Sequence, residues 1–239
     1  MEMNPLQGRT VAIVGAGGGI GQATARALAA QGASLALGSR GEPALRELTE
    51  TLAASGASAA YRTVDVTKEA EVRSFFAWAQ EAFGELDVLV NAAGLSIPAQ
   101  LSEMPEEDYS RTFDVNVKGS FLCAKHFIPC VDRERGGLIV HTGSMAAKRA
   151  NAGAPLYCSA KAAVNMLSQG LALQLIERRI RVTTVNPGAT DTQFWGDRQV
   201  PRDKFMTAAD VADVIACVVA MSPRIVVHEI NFESFAFFK

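Results

Sequence analysis

Short apolar runs alternate with amphipathic stretches along almost the whole chain, and this alternation restricts the possible folds more than any other feature. The runs are short and rich in β-branched residues, which is typical of strands buried on both faces of a parallel sheet. We expect strands at 11–14, 34–37, around Val64, 86–90, 138–140, 182–185 and 225–227. We expect helices between them at 22–31, 43–54, 69–83, 106–127, 157–178 and 208–221. Seven strands with helical crossovers predict an α/β fold, in which a doubly wound parallel sheet lies between two helical layers.

The domain organisation follows from the absence of any obvious division. No linker rich in Pro, Gly or Ser interrupts the pattern, so residues 1–239 are predicted to form one domain. The longest segment without a clear helix or strand pattern lies near 189–206. A loop of that length in a compact domain is usually functional, and we expect it to form part of the substrate site.

Charge and composition argue against several classes of partner. The formal net charge is −2, whereas nucleic-acid-binding domains are usually strongly basic. No apolar stretch approaches the ~18 residues that span a membrane, and the N-terminal sequence lacks a secretory signal pattern. The four cysteines show no CxxC spacing and the three histidines are scattered, so no metal site is expected. These features predict a cytoplasmic protein that binds neither nucleic acid nor membrane.

A glycine-rich segment follows the first predicted strand and opens the first helix. It reads Val14-Gly15-Ala16-Gly17-Gly18-Gly19-Ile20-Gly21 and fits the spacing GxxxGxG. Glycines let backbone N–H groups approach a pyrophosphate, and the helix N-terminus adds donors and a positive dipole end. The segment therefore predicts a Rossmann-type dinucleotide site, with a tight packing turn as the weaker alternative. The candidate contact residues are Gly15, Gly17, Gly18, Gly19 and Ile20.

The end of the second strand indicates which dinucleotide binds. NAD sites usually place an acidic residue there to bind the ribose 2′-hydroxyl. This chain has Ser39 and Arg40 instead, which offer a hydroxyl and a forked cation to a 2′-phosphate. The pair favours NADP(H), and the alternative is that Arg40 is an ordinary solvated surface residue.

Four polar residues form a candidate catalytic group. Tyr157 and Lys161 are four residues apart, which places them on one face of a helix. A nearby ammonium lowers the pKa of a phenol and allows it to act as an acid or base. Ser144 ends the fifth strand, at the sheet edge where ligands bind, and could hydrogen-bond a substrate carbonyl. Asn116 is a polar residue inside a long predicted helix, where it could also serve as an internal cap or bend.

Together these motifs resemble the short-chain dehydrogenase/reductase family, in its NADP-preferring branch with a short C-terminus. The resemblance covers roughly residues 8–192 and follows the family's order. Its pieces are Gly15-x-x-x-Gly19-Ile20-Gly21, Asp65, Asn91-Ala92-Ala93-Gly94, Asn116, Ser144, Tyr157-x-x-x-Lys161, and Asn186-Pro187-Gly188 with Thr192.

The resemblance implies a role for each position. Tyr157 would exchange the proton with the substrate oxygen, and Ser144 would orient the carbonyl. Lys161 would hold the nicotinamide ribose and lower the pKa of Tyr157, while Asn116 would hold a water in a proton relay. The other implied cofactor contacts are Asp65, Val66, Asn91, Ala92, Gly94, Pro187, Gly188, Thr190 and Thr192.

The expected activity is hydride transfer between NADP(H) and a carbonyl or secondary alcohol, as in a ketone reductase or a 3-oxoacyl-type reductase. The alternatives are an NAD-dependent alcohol dehydrogenase and a non-catalytic dinucleotide-sensing protein. A sugar-nucleotide epimerase is disfavoured, because about 47 residues after Thr192 are too few for a second substrate domain. The phenylalanines of the last eight residues are expected to pack into the core or against another subunit of a homodimer or homotetramer.

Overall fold

The computed structural model describes residues 4–238 and consists of one large parallel sheet with helices on both faces. The strands are β1 (Thr10–Val14), β2 (Ser34–Ser39), β3 (Ala59–Thr63), β4 (Val88–Asn91), β5 (Gly137–Thr142), β6 (Ile180–Pro187), β7 (Thr190–Asp191), β8 (Met206–Thr207) and β9 (Glu229–Phe232). The helices are α1 (Gly19–Ala30), α2 (Glu42–Ala54), α3 (Glu69–Phe83), α4 (Glu106–Phe113), α5 (Gly119–Phe127), α6 (Pro155–Gln174) and α7 (Ala208–Ala220).

The sheet order confirms the predicted architecture. Seven parallel strands run in the order β3-β2-β1-β4-β5-β6-β9, and the chain reverses direction across the sheet after β3. Strands β7 and β8 form a separate two-stranded pair. In such sheets, ligands bind beyond the carboxyl ends of the strands, near the point where the strand order reverses.

Alternate residues of the strands pack into two separate cores, which explains why the strands are apolar throughout. In β1, Val11 and Ile13 join the core beneath α1, α2 and α7. Ala12 and Val14 join the opposite core, with Phe75 of α3 among its largest side chains. Because both faces of each central strand are covered, no polar alternation is needed there.

Two of the predicted strands lie elsewhere in the structure. The third was expected around Val64 but spans Ala59–Thr63, because an edge strand is partly exposed and its sequence is correspondingly mixed. The last was expected at 225–227, but it spans Glu229–Phe232. The apolar run misled the prediction, since Ile225 and Val226 are about half exposed in the turn that precedes β9.

Two predicted helices also need correction. The helix expected at 106–127 is divided by a π-helical turn at Asp114–Lys118, which carries Asn116. The helix expected at 157–178 begins at Pro155, because proline favours the first helical turn, and ends at Gln174 before a short 3-10 turn. The last helix begins as expected, with Thr207 and Asp210 forming a capping box.

Candidate active site

The carboxyl ends of the central strands border a cleft of about 910 Å³. Its walls come from the glycine-rich turn after β1, the segment after β4, the segment between β5 and α6, and the segment after β6. The residues proposed from sequence that line it are Gly17, Gly18, Gly19, Ile20, Ala92, Gly94, Ser144, Tyr157, Lys161, Pro187, Gly188, Thr190 and Thr192. The remaining proposed residues lie beside or behind this cleft.

The glycine-rich turn needs glycine at two positions for steric reasons. Gly15 has a φ of +84°, and a Cβ there would lie 2.5 Å from the backbone nitrogen of Ala93. A Cβ on Gly21 would overlap the carbonyl oxygen of Gly15. The turn therefore brings the start of α1 close to both β1 and the segment after β4. Its exposed backbone at Gly17 and Gly18 fits an anionic group such as a pyrophosphate.

The end of β2 lies next to this turn. A Cβ on Gly17 would lie only 3.0 Å from the Oγ of Ser39, so the serine hydroxyl faces the glycine backbone. The Asp65 carboxylate accepts hydrogen bonds from the Thr67 N–H (3.0 Å) and hydroxyl (2.8 Å). Burial raises the pKa of Asp65, but these bonds and the charges of Arg40 and Lys68 outweigh burial and hold the pKa below its usual value. The exposed Arg40 thus lies near enough to the Asp65 carboxylate for its charge to act on it, next to Ser39 and the glycine-rich turn.

Two proposed cofactor contacts, Asn91 and Val66, do not line the main cleft. Asn91 is buried and donates to the Ser120 hydroxyl at 3.1 Å while its Oδ1 accepts from the Ala93 N–H at 3.2 Å. Val66 is also buried and packs so tightly against Gly119 that a Cβ there would lie 2.8 Å from its methyl carbon. These residues shape the backbone that borders the cleft.

Ser144 and Tyr157 meet at the centre of the cleft. The backbone N–H of Ser144 donates to Asn186 Oδ1 at 2.9 Å, which fixes the turn after β5 to β6. The Ser144 side chain lies close enough to Tyr157 to act on the pKa of its phenol, and both residues line the cleft. Burial raises the pKa of Tyr157 to about 12, while the Ser144 side chain and the charge of Arg198 act to lower it. The pKa of Tyr157 is therefore raised, whereas its pairing with Lys161 was expected to lower it, because burial has the largest effect.

Lys161 lies one helical turn along α6 from Tyr157 and is almost fully buried. Its Nζ donates to the Thr142 carbonyl at 2.8 Å and lies 5.8 Å from the centre of the Tyr157 ring. Burial lowers the pKa of Lys161 to about 8. The ammonium therefore titrates close to neutral pH, beside the phenol that it was expected to influence.

Asn116 explains the irregular helix between α4 and α5. Its Nδ2 donates to the carbonyls of Thr112 (2.8 Å) and Leu95 (2.7 Å), so it ties the π-helical turn to the segment after β4. A Cβ on Gly94 would lie 3.4 Å from Asn116 Oδ1 and 3.5 Å from Lys161 Nζ. Asn116 and Lys161 thus approach the same glycine from two elements, and π-helical turns of this kind are frequent at functional sites.

A polar cluster beneath α6 was not found from the sequence. His141 is fully buried on β5, and its Nδ1 lies 2.8 Å from the Ser168 hydroxyl. Burial, followed by the charge of Lys161, lowers the pKa of His141 to about 4. His141 Nε2 and both amide atoms of Asn165 have no hydrogen-bond partner within the described residues. The spacing of Lys161, Asn165 and Ser168 along α6 was the signal that could have revealed this cluster.

The outer wall of the cleft comes from the segment after β7. The Phe194 ring lies 5.8 Å from the Tyr157 ring, and the guanidinium of Arg198 lies over the rings of Phe194 (5.4 Å) and Trp195 (5.1 Å). Arg202 forms an ion pair with Asp191 and does not line the cleft. The aromatic residues of 189–206 therefore cover the candidate catalytic tyrosine.

Comparisons with known proteins agree with this geometry. The family model for short chain dehydrogenases matches residues 9–202. An uncharacterized oxidoreductase of Staphylococcus saprophyticus is 30% identical over 230 residues, covering 96% of this chain and 98% of its own length. An uncharacterized oxidoreductase of Thermotoga maritima is 37% identical over 188 residues, covering 79% of this chain and 74% of its own. The chain belongs to the short-chain dehydrogenase/reductase family, whose members are oxidoreductases that transfer hydride with a nicotinamide dinucleotide.

Solved structures with this fold contain either dinucleotide. An alcohol dehydrogenase from Thermococcus sibiricus, complexed with 5-hydroxy-NADP, has a TM-score of 0.89 and 31% identity, covering 95% of this chain and 97% of its own. A 7α-hydroxysteroid dehydrogenase, complexed with NADH and 7-oxo glycochenodeoxycholic acid, has a TM-score of 0.90 and 27% identity. The match covers 96% of this chain and 94% of the dehydrogenase. Among residues 4–238, no helix is long and apolar enough to cross a membrane, and no group of three potential metal ligands occurs.

Proposed function

We propose that this protein is an NADP(H)-dependent oxidoreductase that reduces a carbonyl compound or oxidises the corresponding secondary alcohol. The observation that carries the proposal is that Ser144, Tyr157 and Lys161 line the same cleft as the glycine-rich turn. The dinucleotide, when bound, supplies or accepts the hydride. The chain's own residues orient the substrate and move its proton.

In the proposed mechanism, Tyr157 donates a proton to the carbonyl oxygen as that oxygen gains negative charge. Ser144 donates a second hydrogen bond to the same oxygen, which holds the carbonyl in position and stabilises the developing charge. Lys161 contributes a positive charge beneath the phenol and would hold the ribose hydroxyls. Asn116 would hold a water close to Lys161, through which a proton returns to the site from solvent.

The dinucleotide is proposed to lie along the glycine-rich turn. Gly15, Gly17, Gly18, Gly19 and Ile20 would hold the pyrophosphate, with Asp65 and Val66 near the adenine. Asn91, Ala92 and Gly94 would border its middle, and Pro187, Gly188, Thr190 and Thr192 would hold the nicotinamide end. The segment near 189–206 would then close the substrate site within a single domain.

The preference for NADP(H) rests on Ser39 and Arg40. The Ser39 hydroxyl beside Gly17 and the exposed Arg40 guanidinium offer donors to a 2′-phosphate, and no carboxylate at the end of β2 repels it. We expect NADPH to bind more tightly than NADH, and Arg40→Ala to weaken NADPH binding by about tenfold to a hundredfold. Nicotinamide fluorescence titration measures both affinities. Arg46→Ala, an exposed change on α2, is the matched control, and an equal effect of Arg40→Ala on NADH would refute the assignment.

The proposed chemistry is tested at Tyr157. Tyr157→Phe keeps the ring against Phe194 but removes the proton, so we expect kcat to fall by about 10²–10⁴ while NADPH affinity changes little. Tyr109→Phe is the control, because Tyr109 is half exposed on α4, away from the cleft. Full turnover by Tyr157→Phe would remove this residue from the mechanism.

We further propose that the protein is a cytoplasmic homodimer or homotetramer. The four cysteines are all free thiols, which suits a reducing compartment. Large apolar side chains are exposed along α5 and α6, including Phe121, Met166 and Leu173, and such faces are commonly buried between subunits. Light scattering coupled to size-exclusion chromatography distinguishes a dimer, a tetramer and a monomer.

A further inference from the structure

The side chains that line the cleft carry positive charge only. Its charged lining residues are Lys161, Arg149 and Arg198, and no carboxylate of residues 4–238 lines it. Lys161 is committed to the Thr142 carbonyl beneath the catalytic tyrosine. Arg149 forms an ion pair with Glu233, which neutralises it. Arg198 has no ion-pair partner among the described residues, so it is the cleft cation that lacks a counter-charge.

Arg198 is held in place by its own loop. Its Nε donates to the Trp195 carbonyl at 2.8 Å, and its Nη2 donates to the Phe194 carbonyl. Its guanidinium also lies over both of their rings. These contacts leave other guanidinium N–H groups without a protein partner, while the stacked rings reduce the freedom of the side chain. A guanidinium oriented in advance in this way binds a carboxylate at a low entropic cost.

Arg198 is also close to the reacting position. Its charge acts on the Tyr157 phenol, opposing part of the effect of burial. Both residues contact the Phe194 ring, whose centre lies 5.8 Å from the Tyr157 ring and 5.4 Å from the Arg198 guanidinium. An anion bound to Arg198 would therefore lie in the same cleft as a carbonyl held by Tyr157 and Ser144. The surrounding side chains, such as Phe194, Trp195 and Met145, are apolar.

We propose that Arg198 selects carbonyl substrates that carry a carboxylate a short distance from the reacting carbon, on an otherwise apolar body. This inference rests on the proposed function and makes it more specific, because it names the class of substrate as aryl or alkyl oxo acids. Arg198 is then a specificity-determining residue that pairs with the carboxylate. An ester or amide of the same skeleton would fill the same cleft without that pairing.

Calorimetric titration of the full chain loaded with NADP⁺ tests this, because the oxidised cofactor cannot reduce the ligand. The probes are phenylglyoxylate and benzoylpropionate, each with its methyl ester. We expect at least one acid to bind about tenfold more tightly than its ester. Arg198→Gln should weaken binding of that acid by about tenfold to a hundredfold, as for a lost charge-assisted hydrogen bond. It should weaken binding of the ester by less than about threefold. Arg198→Lys should restore part of the preference.

Lys204→Gln is the matched control, since it removes the same charge from the same loop at an exposed side chain outside the cleft. It should leave all affinities within about twofold of the wild type. Three outcomes would overturn the proposal: equal binding of acids and esters by the wild type, equal weakening of both by Arg198→Gln, or no binding of either. A fourth is weaker NADPH binding in Arg198→Gln, which would assign the residue to the cofactor.

The proposed function is distinguished by turnover with NADPH. If the acids bind through Arg198 but neither acid nor ester is reduced, carboxylate recognition stands and carbonyl reduction fails. If the esters are reduced as well as the acids, carbonyl reduction stands and selection by Arg198 fails. When both are correct, kcat/KM for the acid falls in Arg198→Gln by the same factor as its binding.

Discussion

The two sides of the cleft are held together in different ways. On one side, the glycine-rich turn is determined by backbone contacts, as shown by Gly15 against Ala93 and Gly21 against Gly15. On the other side, the ends of the segment 189–206 are joined by the β7–β8 pair, and the residues between them are held by side chains that stack on one another. The two meet where a Cβ on Gly19 would lie 2.6 Å from Thr192 Cγ2. Backbone contacts allow one residue type at a position, whereas stacked side chains allow several.

The stacked side forms a continuous row of aromatic rings from Tyr157 to Phe237. Centroid distances are 5.8 Å for Tyr157–Phe194, 5.9 Å for Phe194–Trp195, 4.9 Å for Trp195–Phe205 and 6.0 Å for Phe205–Phe237. Phe237 belongs to the short 3-10 turn that ends the described chain and is still partly exposed. Phe237 thus contacts the 189–206 segment, whereas Phe232 packs against the core.

The largest expected effect is on the backbone side. Gly21→Ala places a Cβ on the Gly15 carbonyl oxygen, which cannot move without displacing β1. We expect a loss of about 4 kcal/mol or more in unfolding free energy, measured by chemical denaturation, together with loss of NADPH binding. Gly170→Ala in α6 is the control, because a Cβ there meets nothing within 4 Å. That variant should gain about 0.5–1 kcal/mol from helix propensity. A Gly21→Ala protein as stable as the wild type would contradict the backbone argument.

The same difference explains what could be predicted from sequence. Gly15, Gly19 and Gly21 were recognisable because sterics restricts them to glycine within a fixed spacing. Tyr157 and Lys161 were recognisable because helical spacing brings them together. The loop contacts of Phe194 and Arg198 depend on where distant segments pack, which local pattern does not encode. The same is true of the strand misplaced at 225–227, since an apolar run does not indicate whether tertiary packing buries it.

The second prediction concerns His141, which is buried on β5 beside Ser168 of α6. Its pKa is about 4 in the folded protein and 6.5 when unfolded, so the unfolded chain binds the extra proton first. The contribution of His141 to the unfolding free energy is therefore fully present above pH 6.5. It is lost as the pH is lowered toward 4, which lowers the unfolding free energy by about 3 kcal/mol. Chemical denaturation at several pH values measures the slope of the unfolding free energy against pH, and His141→Asn should reduce that slope.

The control for this slope is His228→Asn, because His228 is exposed at the start of β9. The His228 variant should keep the wild-type pH dependence between 6.5 and 4. If the His141→Asn variant also keeps the wild-type pH dependence, the buried imidazole is not the source of the acid sensitivity.

The smallest effect is expected at the end of the aromatic row. Phe237→Ala removes the ring that contacts Phe205, and one aromatic pair contributes about 0.5–1.5 kcal/mol. Because that pair supports the outer wall of the cleft, we expect a rise of about threefold to tenfold in the substrate KM, with NADPH affinity unchanged. Phe238→Ala is the matched control, since Phe238 is 66% exposed and makes no aromatic ring contact among the described residues. Equal effects of the two variants would mean that the C-terminus stabilises the chain generally. A KM effect confined to Phe237→Ala would mean that the stacked side chains couple Phe237 to the proposed substrate site. The proposed cofactor site, which is determined by backbone contacts, would then be unaffected.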